Sequence, residues 1–155
     1  MAPVAPQSAQ TVSHDEEFRA DDFAWSTAQG TATISGVMTY HAGDVHYSCE
    51  GSDVRLTPET PWSRRRMVIL YGTDSAGSAP VSIVRARTSS APTGDFARFV
   101  RKTTCNSDNQ FSFSGLPRGS WFVITVAKPV NGQGEPIALT RRVETRGGAK
   151  AITLN

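Results

Sequence analysis

Two clusters hold the side chains best suited to chemistry. Tyr40-His41 and His46-Tyr47 place two phenols and two imidazoles within eight positions, a donor set that ferric iron accepts. Trp62-Ser63-Arg64-Arg65-Arg66 follows Pro61 and sets an indole beside three guanidinium groups. Forked donors next to an aromatic face can hold carboxylates, phosphates or sugar acids. Arg85 and Arg87, two positions apart, would extend that cationic surface from one face of a strand.

Each cluster also has a purely structural reading. Neighbours on a strand point to opposite faces, so neither Tyr40 with His41 nor His46 with Tyr47 converges easily on one ion. The ordinary outcome is a polar hairpin with two exposed histidines; a small metal-dependent oxidase at residues 40–47 is the weaker alternative. Trp62 can equally tuck into a core while the arginines are solvated at a strand entrance. Other reactive sets are missing from the sequence. There is no Gly-x-Ser-x-Gly, and His14 lies in a tail. Gly72, Gly77 and Gly94 lack the helix and the Lys of a phosphate loop. Asp44, Asp53, Asp74 and Asp95 fall in turns, without a paired apolar setting. The chain is therefore read as a non-enzyme with no catalytic residue, no metal and no cofactor. Its binding candidates are Trp62, Arg64, Arg65, Arg66, Arg85 and Arg87.

At 155 residues the chain is long enough for one domain and a tail, and 38% apolar residues can close a single core. A formal net charge of +2 gives no reason to expect nucleic acid. Charge is uneven, with Asp15, Glu16, Glu17, Asp21 and Asp22 near the start and arginines in the middle. No apolar run reaches membrane-spanning length. Cys49 and Cys105 stand beside turns and outside any Cys-x-x-Cys cluster, so they are either bridged or two separate buried thiols. A bridge would contribute about 4 kcal/mol through chain entropy, and would place the protein in an oxidising compartment.

Residues 1–29 read as a flexible tail or linker, rich in Pro, Ser, Gln and acidic residues. Phe18, Phe23 and Trp25 are the exceptions, and from Phe18 onward the segment is expected against the domain, with a helical turn at 15–20. Residues 30–155 form the domain. Thr31–Tyr40 alternates, with Ala32, Ile34, Gly36 and Met38 on one face. Val54 and Leu56 face inward, Arg55 and Thr57 outward. Residues 66–71 are a compact apolar run, and Val81–Arg87 reads as a strand. Phe96–Thr104 is either a strand or a helical turn leading into one. Residues 105–127 read as a β-hairpin: Phe111 and Phe113 alternate, Pro117 and Gly119 turn, and Trp121–Val126 returns. Gly147-Gly148 reads as the turn of a second hairpin. No window beyond about nine residues has a period of 3.6, and turn signals recur every 8–12 residues, which predicts an antiparallel sandwich or small barrel.

Three segments resemble the carboxypeptidase regulatory-like domains, which share the transthyretin-type (prealbumin-like) sandwich. Thr33-Ile34-Ser35-Gly36-Val37 is similar to the opening strand of that family. Gly51-Ser-Asp-Val54-Arg-Leu56-Thr-Pro58 resembles its second, and Thr104–Val126 its closing "F-x-F-x-x-L-P-x-G" signature. The resemblance implies an all-β, antiparallel, seven- to eight-stranded Greek-key-like β-sandwich. It also implies a non-catalytic module of the bacterial periplasm, outer membrane (as a lipoprotein) or cell surface, carried on a leader or anchor outside this sequence. The implied partner is an envelope protein or polysaccharide, bound in adhesion or assembly; the alternative is a regulatory domain accompanying a peptidase. Arg118-Gly119-Ser120 is similar to the Arg-Gly-Ser of transthyretin-related hydroxyisourate hydrolases, but it follows Pro117 in mid-chain, where a β-turn accounts for it.

Overall fold

The computed structural model describes residues 17–155. His14, Asp15 and Glu16, with the start of the helical turn expected at 15–20, lie outside those residues. Ten strands and two α-helices follow in chain order. They are β1 (Ala32–Met38), β2 (His41–Ala42), β3 (Val45–Ser48), β4 (Asp53–Pro58), α1 (Pro61–Tyr71), β5 (Ala76–Pro80), α2 (Val81–Thr88), β6 (Arg101–Thr104), β7 (Gln110–Leu116), β8 (Gly119–Pro129), β9 (Ile137–Thr145) and β10 (Gly148–Leu154). None of the described helices is long and apolar enough to cross a membrane.

The β-sandwich expected from the alternation is present. One sheet has the order β10-β1-β7. The larger one runs β6-β4-β8-β9-β5, and the β2-β3 ribbon continues from the end of β8. β1 buries Ala32, Ile34, Gly36 and Met38, the face that its period of two assigns to the core. Opposite it, Val54, Leu56, Trp121, Val123, Leu139 and Val143 line the larger sheet, and Cys49 and Cys105 are joined by a disulfide within the same core. A side chain added at Gly36 would overlap the Phe111 ring. Gly36→Val is therefore expected to cost roughly 1–3 kcal/mol by overpacking. Urea unfolding reads the loss, and Phe111→Leu in the same chain should recover part of it.

Neither expected hairpin forms. β7 pairs with β1, whereas β8 pairs with β4 and β9, so Pro117-Arg118 carries the chain from one sheet to the other. Likewise β10 leaves β9 after Gly147 and Gly148 (φ 98° and 74°) and lies parallel to β1. The chain does turn at Pro117–Gly119 and at Gly147-Gly148, but a turn says only that the chain reverses. Both edges of β8 are filled by other strands, which leaves no ladder for β7.

Two segments, one read only as a compact apolar run and the other as a strand, are helical. Residues 66–71 belong to α1. Thr60 caps that helix: its Oγ1 accepts from Ser63 N at 3.0 Å, and Ser63 Oγ accepts from Thr60 N at 2.8 Å. Pro61 occupies the first turn, and Gly72 ends the helix in the left-handed region at φ 76°. Val81–Arg87, read as a strand, is α2, in which Val84 and Thr88 sit one turn apart above the sheet. The intrinsic preference of Val and Ile for strands is weak, and tertiary packing overrides it here. Phe96–Thr104 takes the second of its two expected forms, a 3-10 turn at Ala97–Phe99 leading into β6.

The helices make a third layer on the outer face of the larger sheet. β8 is apolar on both faces: Trp121 and Val123 point into the sandwich, while Phe122, fully buried, and Ile124 point toward the helices. A strand that is apolar on both sides needs cover on both sides. Thr57 faces outward from the sandwich as expected, yet is buried beneath this layer.

The segment from Phe18 onward does lie against the domain. A 3-10 helix at Ala20–Thr27 buries Phe23 completely. The Phe23 ring stacks on Phe99 at 4.9 Å, and Phe18 meets Trp62 edge-on at 5.2 Å. Trp25 meets Trp121 at 4.9 Å. Packed structure thus begins some ten residues before Gly30.

Candidate ligand-binding cleft

Between the helical layer and the outer face of the sheet lies a cleft of about 420 Å³, within the roughly 300–1,000 Å³ typical of small-ligand sites. Pleating fixes its floor. Arg55 on β4 and Lys102 on β6 lie directly opposite one another in the ladder, with Ile124 of β8 on the other side of Arg55. α1 supplies Trp62, Arg66, Leu70 and Tyr71, α2 supplies Val84, and the loop before β6 supplies Phe96.

Arg66 is the most constrained of the cations. Its Nη1 donates to the Pro92 carbonyl at 2.9 Å, and its guanidinium carbon lies 5.2 Å from the Phe96 ring centre and 6.0 Å from that of Trp62. A guanidinium has five N–H donors, so most of its capacity faces elsewhere. Burial holds Arg66 below its usual range, with the neighbouring Tyr71 acting in the opposite sense. Burial pushes the Tyr71 phenol up, against the pull of Arg66 and Arg55. Tyr71 is thus a neutral hydrogen-bonding group at neutral pH. Among the described residues, no Asp, Glu or His lines the cleft.

The structure divides the residues expected to bind. Trp62 and Arg66 line the cleft, but Trp62 is 1% exposed and forms a wall, not a free stacking surface. Its Nε1 is buried and has no hydrogen-bond partner among the described residues. Arg64 points away: its Nε donates to Glu59 Oε2 at 3.1 Å, and the same carboxylate accepts from Arg142 Nε at 2.9 Å. Arg65 is exposed on α1 outside the cleft lining. Arg87 donates to the Leu70 carbonyl at 3.1 Å and so caps the last turn of α1. Arg85 is exposed on α2. Residues two apart on a helix face different ways, so the shared face expected of a strand is absent.

Arg55, Lys102, Tyr71 and Phe96 were missed. Arg55 and Lys102 read as ordinary outward residues, because nothing local announces the layer above them. The signal in the sequence is the apolar run Trp121-Phe122-Val123-Ile124, which asks for cover on a second face.

At the other end of the sheet, the Tyr/His cluster separates as pleating requires. Tyr40 and Tyr47 meet edge-to-face at 4.8 Å against the core. His41 and His46, paired across β2 and β3, are both exposed, with ring centres 6.3 Å apart. The four donors do not converge. Among the described residues no group of three or more His, Cys, Asp or Glu comes together. Arg118-Gly119-Ser120 is used structurally: Gly119 N donates to Thr145 Oγ1 at 3.1 Å, and Ser120 Oγ accepts from Arg142.

No family model matches the chain, and no curated protein does. Among solved structures, a crystal structure of a candidate carbohydrate binding protein from Pseudomonas aeruginosa is similar, with a TM-score of 0.64 and 20% identity over 88% of this chain and 96% of that one. At that identity the likeness establishes a shared sandwich fold, and this chain is one more sequence that builds it.

Proposed function

We propose that this chain is a non-catalytic binding module of the bacterial envelope or secreted space, related to the carboxypeptidase regulatory-like domains, and that its partner is a polysaccharide held in the helix-covered cleft. The observation that carries the proposal is the convergence of cationic, phenolic and apolar side chains on one cleft, with no carboxylate or imidazole among them to act as a general acid or base. The family resemblance rests on residues that occupy β1, β4, β7 and β8, the strands of the sandwich itself. A carbohydrate partner is supported by the similar fold of the Pseudomonas aeruginosa protein. An oxidising compartment is supported by the buried Cys49–Cys105 bridge.

Filling the cleft tests this. Val84→Trp, on the α2 wall, is expected to abolish retention of the protein on insoluble envelope polysaccharides while the melting temperature stays within a few degrees. Arg64→Ala, outside the cleft, should leave retention within twofold. If both variants are retained like the parent, the site lies elsewhere. If the parent itself is not retained, the partner class moves to protein, including a peptidase that the domain accompanies.

A further inference from the structure

We infer that the cleft selects sugar units carrying a negative group, a deepening that rests on the polysaccharide reading above. Arg55 and Lys102 stand directly opposite each other on adjacent strands. Like charges in that position destabilise a sheet, and a chain selected for stability alone would place an acid or a neutral residue at one of them. Neither has a hydrogen-bonded or ion-paired acid among the described residues. Arg66 adds a third cation from α1 on the opposite wall, spending one donor on Pro92. The nearby carboxylate of Glu59, 6% exposed, is already claimed by Arg64 and Arg142. Three cations therefore line one partly enclosed space, and no acidic residue among the described residues lines it with them. Arg55 and Lys102 are exposed at the cleft mouth and Arg66 is half-buried, so an anion entering there could take charge-assisted bonds from all three.

The rest of the lining fits a sugar ring and not a bare ion. Met67, Leu70, Val84, Val100 and Ile124 give apolar walls for the C–H face of a pyranose. The Tyr71 hydroxyl, protonated at neutral pH like any phenol, can donate to a ring hydroxyl or accept from one. Carboxylate and sulfate substituents share the chemistry the cations demand, and the probes below tell them apart.

Isothermal titration of the full chain with polygalacturonate, dextran sulfate and neutral dextran decides the matter. The expected result is binding to one or both charged polymers and at least tenfold weaker binding to dextran. Arg55→Ala, Lys102→Ala and Arg66→Gln should each weaken the charged-polymer interaction about tenfold, the loss of one charge-assisted bond. Arg85→Ala, an exposed cation outside the cleft, should change it less than twofold, which separates a site from general charge attraction. Lys102→Ala has a second readout. Removing one of two facing like charges should leave the melting temperature unchanged or raise it by about 1–3 °C, whereas a lysine serving the fold would lower it. Equal binding of dextran and the charged polymers overturns the inference and keeps the polysaccharide reading; binding of none of the three overturns both. Cleft variants that bind like the parent, or an Arg85→Ala loss as large as theirs, overturn the assignment to this cleft.

Discussion

Replacing Trp121 with alanine is expected to lower stability by about 3–5 kcal/mol. Trp121 is fully buried on the inner face of β8, in register with Pro58 on one side and Val143 on the other. Trp25 meets it at 4.9 Å, and the Arg101 guanidinium lies 5.6 Å above its ring. The truncation would therefore empty a space that three elements line, and it would release the N-terminal segment that Trp25 pins. The indole also has a polar end. Its Nε1 donates to Thr145 Oγ1 at 3.1 Å, and that hydroxyl donates onward to the Pro117 carbonyl at 2.7 Å while accepting from Gly119 N. Thr145 thus ties together the two places where the chain crosses between sheets. Thr145→Val keeps the volume and deletes the oxygen, leaving buried donors without their acceptor at a total cost of about 1–3 kcal/mol. Urea midpoints should rank the parent above Thr145→Val and Thr145→Val above Trp121→Ala. A Trp121→Ala loss below about 1 kcal/mol would contradict this packing.

The second large effect belongs to the disulfide. Replacing Cys49 and Cys105 together with alanine should cost about 4 kcal/mol, which lowers the melting temperature by roughly 8–16 °C. The bridge closes a sequence separation of 56 residues, and both cysteines are buried. Its surroundings are ordered without it: Gly51 N donates to the Cys105 carbonyl at 2.9 Å, Cys105 N to the Ser52 carbonyl at 3.0 Å, and Cys49 N to Asn109 Oδ1 at 2.9 Å. The loss should therefore arise mainly in the unfolded chain, whose conformational freedom the bridge removes. Far-ultraviolet circular dichroism of the double variant should match the parent at low temperature. Matching melting temperatures with and without reductant would show that the bridge does not contribute in this way.

Much of this molecule is legible residue by residue. The alternation of Ala32, Ile34, Gly36 and Met38 identifies a core face, because a strand has only two faces to offer. The turn at Pro117–Gly119 and the pair Gly147-Gly148 mark where the chain must change direction. The cap at Thr60-Pro61-x-Ser63 and the closing Gly72 also spell out a helix, although the short apolar run beside them reads equally well as a strand. Other features are not local. Whether the strand after a turn pairs with the one before it depends on which edges are already filled, and β4 and β9 fill both edges of β8. Whether an outward arginine is solvent-facing or lines a cleft depends on what packs above it. Arg55 and Lys102, though still exposed, become site residues only because α1 and α2 form a wall above that face.

Sequence by itself therefore determined the alternating strands, such as β1, and the turns that separate them, but not α1 or α2, since periodicity and conformational preference are short-range. Tertiary structure alone decided which strands are neighbours, that the cysteines are joined, and which cations share an enclosed space. Those outcomes are set by satisfying backbone edges and covering apolar faces between residues distant along the chain, and no local pattern encodes such a competition.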